Sequence, residues 1–397
     1  MTQLSQFVSG MDESVTLAAA ARAKALKAEG RDIIDLTLGQ PDFVTPKAIQ
    51  NAAVAAITDG KASFYTVSSG LPELKTAFAG YFERYYGYKP AANEILVTTG
   101  AKFALYAYFL AVLDPGDEVI IPAPYWVSYV DQVKMASGVP VIVETTQAAD
   151  FKVTVDQLEA AKTARTKVLL LNSPSNPTGM IYSREELSAI GDWAVANDLE
   201  ILADDIYHRL VYNGAAFTAI SSLSDTIRTH TTVINGTSKT FAMTGWRIGI
   251  AVGSPEIIAA MGKISSQTTS NAAAASQYAA IQAFSGDDKD FHEMQQAFEE
   301  RLNTIYPLLA EIPGFEVVKP QGAFYLFPKV TQALTATGYT NVTDFANALL
   351  EEANVATVTG EGFGSSENIR LSYATDLESL KTAVARIKKF VIEKSKH

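Results

Sequence analysis

Four short polar segments hold most of the side chains in this sequence that could take part in chemistry. They are TTGAK (98–102), NSPSNPTG (172–179), DDIY (204–207) and GTSKTFAMTGWRIG (236–249), and each directly follows an apolar run typical of a β-strand. Ligand sites in open α/β sheets lie at the carboxyl ends of the strands, so these segments are expected to meet at one edge of a sheet.

The segments present an amide, carboxylates, an amine and a guanidinium, at Asn176, Asp204, Asp205, Lys239 and Arg247. The small residues of TTGAK lead into a helix whose free N–H groups could hold a phosphate. Each feature taken singly also has a plain structural explanation: a turn cluster, a helix cap or a solvated surface charge. Only the joint pattern points to a catalytic site.

The residues that several other kinds of functional site require are absent from the sequence. The sequence contains no cysteine, which excludes disulfides, thiolate nucleophiles and cysteine-based metal sites. Its four histidines show no metal-ligand spacing, so no metal site is predicted. Gly360, Gly362 and Gly364 have the wrong spacing for a dinucleotide fingerprint, and a flexible loop is the better prediction there.

The composition of the chain limits which binding partners and which cellular location are expected. The net charge of −11 argues against a nucleic-acid or anionic-membrane surface, because nothing would neutralise phosphates in bulk. The longest apolar run, 103–113, is shorter than the about 20 residues that span a bilayer. The start of the chain lacks the regions of a signal peptide. A cytoplasmic protein acting on small molecules is therefore expected.

The pattern of elements predicts the architecture that positions these segments. Apolar runs at 95–97, 118–122, 139–143, 167–171, 199–203 and 231–235 alternate with helical stretches, which predicts an α/β fold with a mostly parallel sheet covered by helices. Thr45-Pro46 and Ser254-Pro255 are predicted to begin helices. The pattern changes near residue 288, where a long amphipathic segment to Leu309 is followed by short predicted strands at 315–318 and 323–327 and by two further helices. We therefore expect an N-terminal segment (1–44), a large domain (45–287) and a smaller α+β domain (288–397), with the N-terminal segment packing on the small domain.

Taken together, the chain resembles the class I, fold-type I aminotransferases that depend on pyridoxal 5′-phosphate (PLP), and the resemblance extends over essentially its whole length. SKTFAMTGWRIG looks like the cofactor-lysine segment of that family, with Lys239 and Arg247 eight residues apart. Within the family, the chain is most similar to the bacterial I-beta aspartate aminotransferases. The other matching segments are LTLGQPDF (36–43), TTGAK, APYWVSY (123–129), SPSNPTG (173–179), DDIY and NIRLSY (368–373).

The resemblance implies a role for each matching residue. Lys239 would carry PLP as a Schiff base and move protons, Asp204 would face the ring nitrogen, and Tyr207 would bond the phenolic oxygen. Tyr65 would reach the phosphate of a neighbouring subunit, which implies a homodimer with shared active sites. The remaining cofactor-binding residues implied are Gly100, Ala101, Lys102, Trp126, Asn176, Ser238 and Arg247.

For the substrate, the resemblance implies that Arg370 pairs with the α-carboxylate and that the Gly39 N–H helps. Trp126 and Asn176 are further implied substrate contacts. Lys102 and Thr16 would contact the distal carboxylate of aspartate or glutamate. The implied reaction moves the amino group of L-aspartate to 2-oxoglutarate in a ping-pong cycle, giving oxaloacetate and L-glutamate.

Other functions stay open from the sequence. GAKFAL replaces the GGKQAL expected of relatives, which weakens the specificity assignment, and a solvent-facing Lys102 would favour aromatic or alanine-type donors. The same cofactor also serves β-lyases, since fold likeness does not fix the reaction. A transcription regulator built on this fold would need a DNA-binding segment that the 397 residues do not contain. A purely structural protein would not need Lys239, Arg247 and Asp204 together.

Overall fold

The computed structural model describes residues 4–9, 11 and 14–396. Within these residues, no helix is long and apolar enough to cross a membrane. The helices are α1 Gln6–Ser9, α2 Val15–Ala28, α3 Lys47–Thr58, α4 Pro72–Tyr86, α5 Ala101–Val112, α6 Ser128–Met135, α7 Val155–Ala161, α8 Arg184–Ala196, α9 Asp225–Thr229, α10 Pro255–Gln267, α11 Ala274–Ser285, α12 Lys289–Ala310, α13 Thr331–Thr337, α14 Val342–Ala353 and α15 Leu377–Lys394.

A seven-stranded sheet forms the centre of the fold, in the order β2-β8-β7-β6-β5-β3-β4. Its strands run in one direction except for β8, which is antiparallel to both β2 and β7. This confirms the predicted α/β fold with a mostly parallel sheet. The strands of the chain are β1 Ile34–Asp35, β2 Ile95–Thr98, β3 Glu118–Ala123, β4 Val139–Glu144, β5 Thr166–Asn172, β6 Glu200–Asp204, β7 Thr231–Gly236, β8 Gly249–Val252, β9 Tyr325–Leu326, β10 Val355–Ala356, β11 Val358–Thr359 and β12 Ile369–Ser372.

Helices cover both faces of this sheet, so alternate strand residues enter different cores. Ile95 and Val97 belong to one apolar cluster, together with residues of α4, whereas Leu96 belongs to a second cluster with residues of α5. Burial on both faces explains why the central strands read as continuous apolar runs. The six predicted runs all form strands, while β8 was not predicted.

The C-terminal part has its own apolar core, built on α12, α15 and the three-stranded sheet β11-β12-β9. Up to residue 396, three helices follow α12, where two were expected. The predicted strand at 315–318 forms only an isolated bridge between Glu316 and Lys329. The N-terminal segment packs here, because β1 pairs with β10 and Leu26 contacts the cluster of Leu350. The domain boundaries at 44 and 287 stay a prediction.

The two predicted helix starts differ in outcome. The Ser254 hydroxyl accepts the Ile257 N–H and Pro255 is the first residue of α10, as expected. Thr45 is not a cap: α3 begins at Lys47 without a side-chain cap, and the Thr45 hydroxyl donates to the Ala242 carbonyl oxygen at 2.7 Å. Thr45 therefore anchors the loop after Lys239 rather than a helix.

Candidate active site

A cavity of about 440 Å³ opens at the carboxyl ends of the central strands. It collects the side chains that end β5 and β6 and those of the loop after β7. Of the residues predicted for the site, those that line it are Thr16, Gly39, Ala101, Lys102, Trp126, Asn176, Asp204, Tyr207, Ser238, Lys239, Arg247 and Arg370. Gly100 lies directly behind them, against Arg247. Tyr65 lies outside the cavity and is 92% exposed. Its role at the phosphate of a neighbouring subunit stays a prediction.

Lys239 is the amine of the cavity. Its Nζ donates a hydrogen bond to the Gly39 carbonyl oxygen. Burial lowers the pKa of Lys239 to about 7, with Arg370 and Arg247 adding to the decrease and Asp204 opposing it. A substantial fraction of the amine is therefore neutral at physiological pH, which is the state required for nucleophilic attack on a carbonyl and for accepting a proton.

Asp204 is the carboxylate of the cavity and is 4% exposed. The Tyr129 hydroxyl donates to its Oδ2 at 2.7 Å, and the Ile206 N–H donates to its Oδ1 at 3.3 Å. Burial raises the pKa of Asp204 to about 6, although both hydrogen bonds oppose the rise. A cation placed against this carboxylate would favour its charged form, so the position suits a protonated ring nitrogen.

Arg370 is a fixed, fully buried cation on β12. Its Nη1 donates to Asn176 Oδ1 at 2.9 Å and its Nη2 donates to the Thr37 carbonyl oxygen at 2.8 Å. The guanidinium lies between the rings of Tyr325 and Phe363, 4.4 and 4.8 Å from their centroids. Its Nε has no hydrogen-bond partner among the described residues. An unpartnered buried donor on a guanidinium is suited to a carboxylate ligand.

Arg247 and the start of α5 form a cradle for an anion. The φ angle of Gly100 is +88°, and a Cβ there would lie 2.3 Å from Arg247 Nη2. The guanidinium is therefore held beside Gly100, where α5 begins and where the N–H groups of Ala101 and Lys102 have no partner within the helix. Charge together with aligned N–H donors is the arrangement that binds phosphate.

The far side of the cavity carries Lys102 and a pair of hydroxyls. Lys102 is exposed but lines the cavity, and its Nζ lies 4.9 Å from the Trp126 ring centroid. Partial desolvation and the nearby Arg247 lower the pKa of Lys102. The hydroxyls of Ser14 and Thr16 are 2.9 Å apart. Lys102 thus belongs to the cavity rather than to an outward helix face.

Among the cavity residues that were not predicted, three have hydroxyl or amide side chains that bond Asp204 or Tyr207. Tyr129 bonds Asp204, Asn172 Nδ2 donates to the Asp204 carbonyl oxygen at 2.7 Å, and the Tyr325 hydroxyl lies 2.8 Å from that of Tyr207. Position in the sequence could have indicated the first two, since Tyr129 follows Trp126 by three residues and Asn172 ends an apolar run. Nothing local marks Tyr325, which reaches the site from β9 in the C-terminal part.

This fold and cavity are those of a PLP-dependent aminotransferase, and the comparisons agree. The model of the family described as aminotransferase class I and II matches residues 31–387, so the chain belongs to that family. An asparagine–oxo-acid transaminase from Streptococcus mutans is 64% identical over 98% of this chain and 100% of the relative. An aspartate aminotransferase from Bacillus subtilis is 51% identical over 98% of this chain and 99% of the relative.

Solved structures give the same result. The aspartate aminotransferase from Rhizobium meliloti aligns with a TM-score of 0.93 at 39% identity, covering 99% of both chains. The aspartate aminotransferase from Thermus thermophilus with maleate aligns with a TM-score of 0.93 at 38% identity, over 98% of this chain and 100% of that chain. The predicted family, fold and cofactor are thereby confirmed.

The side chains of the cavity fit PLP. The aldehyde of the cofactor needs a neutral amine, the ring nitrogen needs a buried carboxylate and the phosphate needs an anion cradle, and the cavity supplies Lys239, Asp204 and Arg247. The cradle beside Gly100 could not hold a larger residue without displacing Arg247. No cluster of metal ligands occurs in the part of the chain that the structure describes.

Proposed function

We propose that this aminotransferase moves the amino group of L-aspartate to 2-oxoglutarate, giving oxaloacetate and L-glutamate. One observation carries the proposal: the cavity that holds Lys239 contains both Arg370 and Lys102. Each substrate of this reaction has two carboxylates, and two cations in one cavity can neutralise both. The names of relatives in Bacillus and Rhizobium support the assignment, as does the dicarboxylate maleate named with the Thermus enzyme.

Lys239 is the proposed catalytic base. PLP, when bound, supplies an electron-withdrawing ring that stabilises negative charge at the substrate Cα. The Lys239 Nζ, with its pKa lowered to about 7, would accept the α-proton of the substrate and then deliver that proton to the cofactor. Its hydrogen bond to the Gly39 carbonyl oxygen holds the amine at the floor of the cavity.

Neighbouring side chains hold the cofactor in our proposal. Asp204 keeps the ring nitrogen protonated, and Trp126 packs on the ring face. Asn176 Oδ1 already accepts a hydrogen bond from Arg370, which leaves Asn176 Nδ2 to donate to the phenolic oxygen of PLP. The Tyr207 hydroxyl donates to the same oxygen. The phosphate is assigned to Arg247, Ser238 and the backbone of Gly100, Ala101 and Lys102.

The substrate is oriented by its α-carboxylate on Arg370, with the Gly39 N–H as a second donor. Lys102 and Thr16 contact the distal carboxylate. Amino acid and keto acid occupy the same place in turn, so the two half-reactions follow a ping-pong order.

The test is a coupled assay with L-aspartate and 2-oxoglutarate, on the wild type and on Lys102→Ala. We expect kcat/KM for aspartate to fall about 100-fold in the variant, because a charge-assisted contact is lost, while phenylalanine is spared. Lys134→Ala removes an exposed lysine of α6 outside the cavity and serves as the control. Low wild-type activity on aspartate beside good activity on phenylalanine or alanine would contradict the proposal.

L-asparagine is a second candidate donor. The relative from Streptococcus mutans is named for it, and the Ser14–Thr16 hydroxyl pair in the cavity can bond a neutral amide. Replacing Lys102 by alanine should then reduce kcat/KM for asparagine less than for aspartate, since only the carboxylate carries a charge. Equal losses for both donors would argue against amide recognition by the hydroxyls.

We propose that the enzyme is a homodimer in which Tyr65 completes the partner's phosphate site. Exposed apolar side chains are concentrated between residues 38 and 67, with Val44 82% and Phe64 78% exposed. Mixing Lys239→Ala with Tyr65→Phe tests the exchange. If Tyr65 serves the partner, each hybrid dimer contains one intact site and activity rises on mixing, whereas a Tyr65 that serves its own subunit leaves no intact site. A cytoplasmic location stays a prediction for cell fractionation.

A further inference from the structure

The hydroxyls of Tyr207 and Tyr325 share a hydrogen bond of 2.8 Å inside the cavity. Both residues are buried, and their rings meet edge-on with centroids 5.9 Å apart. Tyr207 follows β6 of the large sheet, whereas Tyr325 begins β9 of the small sheet. The contact therefore joins a proposed cofactor ligand to a residue that lies 118 positions further along the chain.

Backbone bonds hold the two tyrosines in register. The Ala323 N–H donates to the Leu210 carbonyl oxygen at 2.9 Å, and the Tyr212 N–H donates to the Gln321 carbonyl oxygen at 3.0 Å. The Leu210 N–H in turn donates to the Tyr207 carbonyl oxygen at 2.8 Å. The segment before Tyr325 is thus bonded to the segment after Tyr207, so the geometry of the pair does not depend on side-chain packing alone.

The number of protons sets the direction of the bond. Each phenol has one O–H to donate. In the role proposed above, Tyr207 donates that proton to the phenolic oxygen of PLP, which carries no proton of its own to offer. The bond between the tyrosines must then be donated by Tyr325, with the Tyr207 oxygen as acceptor. The guanidinium of Arg370 lies 4.4 Å from the Tyr325 ring centroid, and its positive charge favours proton donation by the Tyr325 hydroxyl.

We propose that Tyr325 is a positioning residue that donates to the Tyr207 hydroxyl and so directs the Tyr207 proton at the phenolic oxygen of the cofactor. Hydrogen bonds in a chain strengthen one another, so Tyr325 also makes Tyr207 the stronger donor. This inference depends on the role proposed for Tyr207 and is independent of which amino acid is the donor.

The test is a pH titration of the absorbance of the PLP-loaded enzyme without substrate. A hydrogen bond donated to the phenolic oxygen withdraws electron density from the cofactor. It therefore weakens proton binding at the Schiff-base nitrogen between Lys239 and PLP. We therefore expect Tyr325→Phe to raise the pKa of that chromophore by about half to one pH unit, and Tyr207→Phe to raise it further.

Tyr373→Phe is the matched control. Tyr373 is also fully buried, and its hydroxyl donates at 3.3 Å to the Ala323 carbonyl oxygen, which keeps a second donor in the Tyr212 hydroxyl. Its removal should leave the titration unchanged. In a Tyr207→Phe background, Tyr325→Phe should add no further shift, because the relay is already broken.

The outcomes separate the two proposals. A shift in Tyr207→Phe without one in Tyr325→Phe overturns the inference alone, and no shift in either overturns the role of Tyr207. An undiminished effect of Tyr325→Phe in the Tyr207→Phe background would mean that Tyr325 acts on the cofactor directly and also overturns the relay. Should Tyr325→Phe fold poorly, the double variant, which leaves no unpaired hydroxyl, is compared with Tyr207→Phe, and a further shift in the double variant would overturn the relay.

Discussion

Asp204 and Asp205 are neighbours in the sequence, but their carboxylates lie on opposite faces of the central sheet. Asp204 accepts from Tyr129, which belongs to the apolar cluster around α5, whereas Asp205 accepts from Tyr86 at 3.2 Å, in the cluster around α4. Strand alternation alone places one carboxylate in the cavity and the other behind the sheet. The pair offers a matched experiment.

Asp204→Asn should reduce kcat at least about 100-fold, because the variant loses the charge that we propose keeps the ring nitrogen protonated. Asp205→Asn should change kcat less than about threefold: burial raises the pKa of Asp205 well above its usual range and so favours the neutral carboxyl, with which an amide is close to isosteric. Steady-state rates at saturating substrates measure both. Comparable losses in the two variants would mean that the effect is structural.

The rate at which PLP binds to the cofactor-free enzyme should rise with pH, reach half its maximum near pH 7 and level off above about pH 8. Only the neutral form of Lys239 attacks the aldehyde, and its pKa is lowered to about 7 chiefly by burial. An ordinary lysine, with a pKa of about 10.4, would give a rate still rising at pH 9 to 10. Stopped-flow absorbance distinguishes the two curves, with a simple alkyl amine correcting for the titration of PLP itself.

Gly100→Ala should weaken PLP binding about tenfold or more. The new Cβ would lie 2.3 Å from Arg247 Nη2, so the guanidinium must leave the phosphate cradle. Gly116→Ala is the control, because Gly116 has a similar φ of +93° but open space around a Cβ. Equilibrium dialysis gives both affinities, and equal losses would assign the effect to backbone strain instead of to Arg247.

Arg370→Lys should raise KM for every amino-acid and keto-acid substrate about 100-fold, with a smaller effect on kcat. A lysine ammonium cannot reproduce the planar fork that pairs with a carboxylate. Arg386→Lys, at a surface ion pair with Asp32, should leave KM unchanged. A fall in kcat without a rise in KM would show that Arg370 acts on the chemical step and not on binding.

Those parts of the site that depend on a local sequence pattern could be predicted from the sequence. Asp204 and Lys239 follow continuous apolar runs, and such runs mark buried parallel strands whose ends meet. Residues whose contacts come from elsewhere in the chain were not predictable. Tyr325 bonds Tyr207 across 118 positions, and no local signal encodes that distance.

Helix starts show the same division. Ser254 caps α10 because its partner, the Ile257 N–H, lies three residues away in the helix itself. Thr45 has an equally good local pattern, yet its hydroxyl bonds the Ala242 carbonyl oxygen 197 residues away. The tertiary hydrogen bond of Thr45 forms in place of the local capping bond. β8 was missed for a different reason: no α-helix separates it from β7, so it falls outside the alternation of strands and helices from which the other strands of the sheet were predicted.

The guanidinium of Arg370 is immobilised before any substrate arrives, by two hydrogen bonds and two flanking rings. The rotational entropy of this long side chain, about 2 kcal/mol for an arginine, is therefore lost during folding and not during binding. Even small carboxylates with no amino group should consequently bind as competitive inhibitors, since the Arg370 guanidinium need not rearrange to pair with a carboxylate. In the proposed site, discrimination between substrates falls to the more exposed Lys102 side of the cavity, where a change of residue would alter the preferred donor and leave the α-carboxylate contact of Arg370 in place.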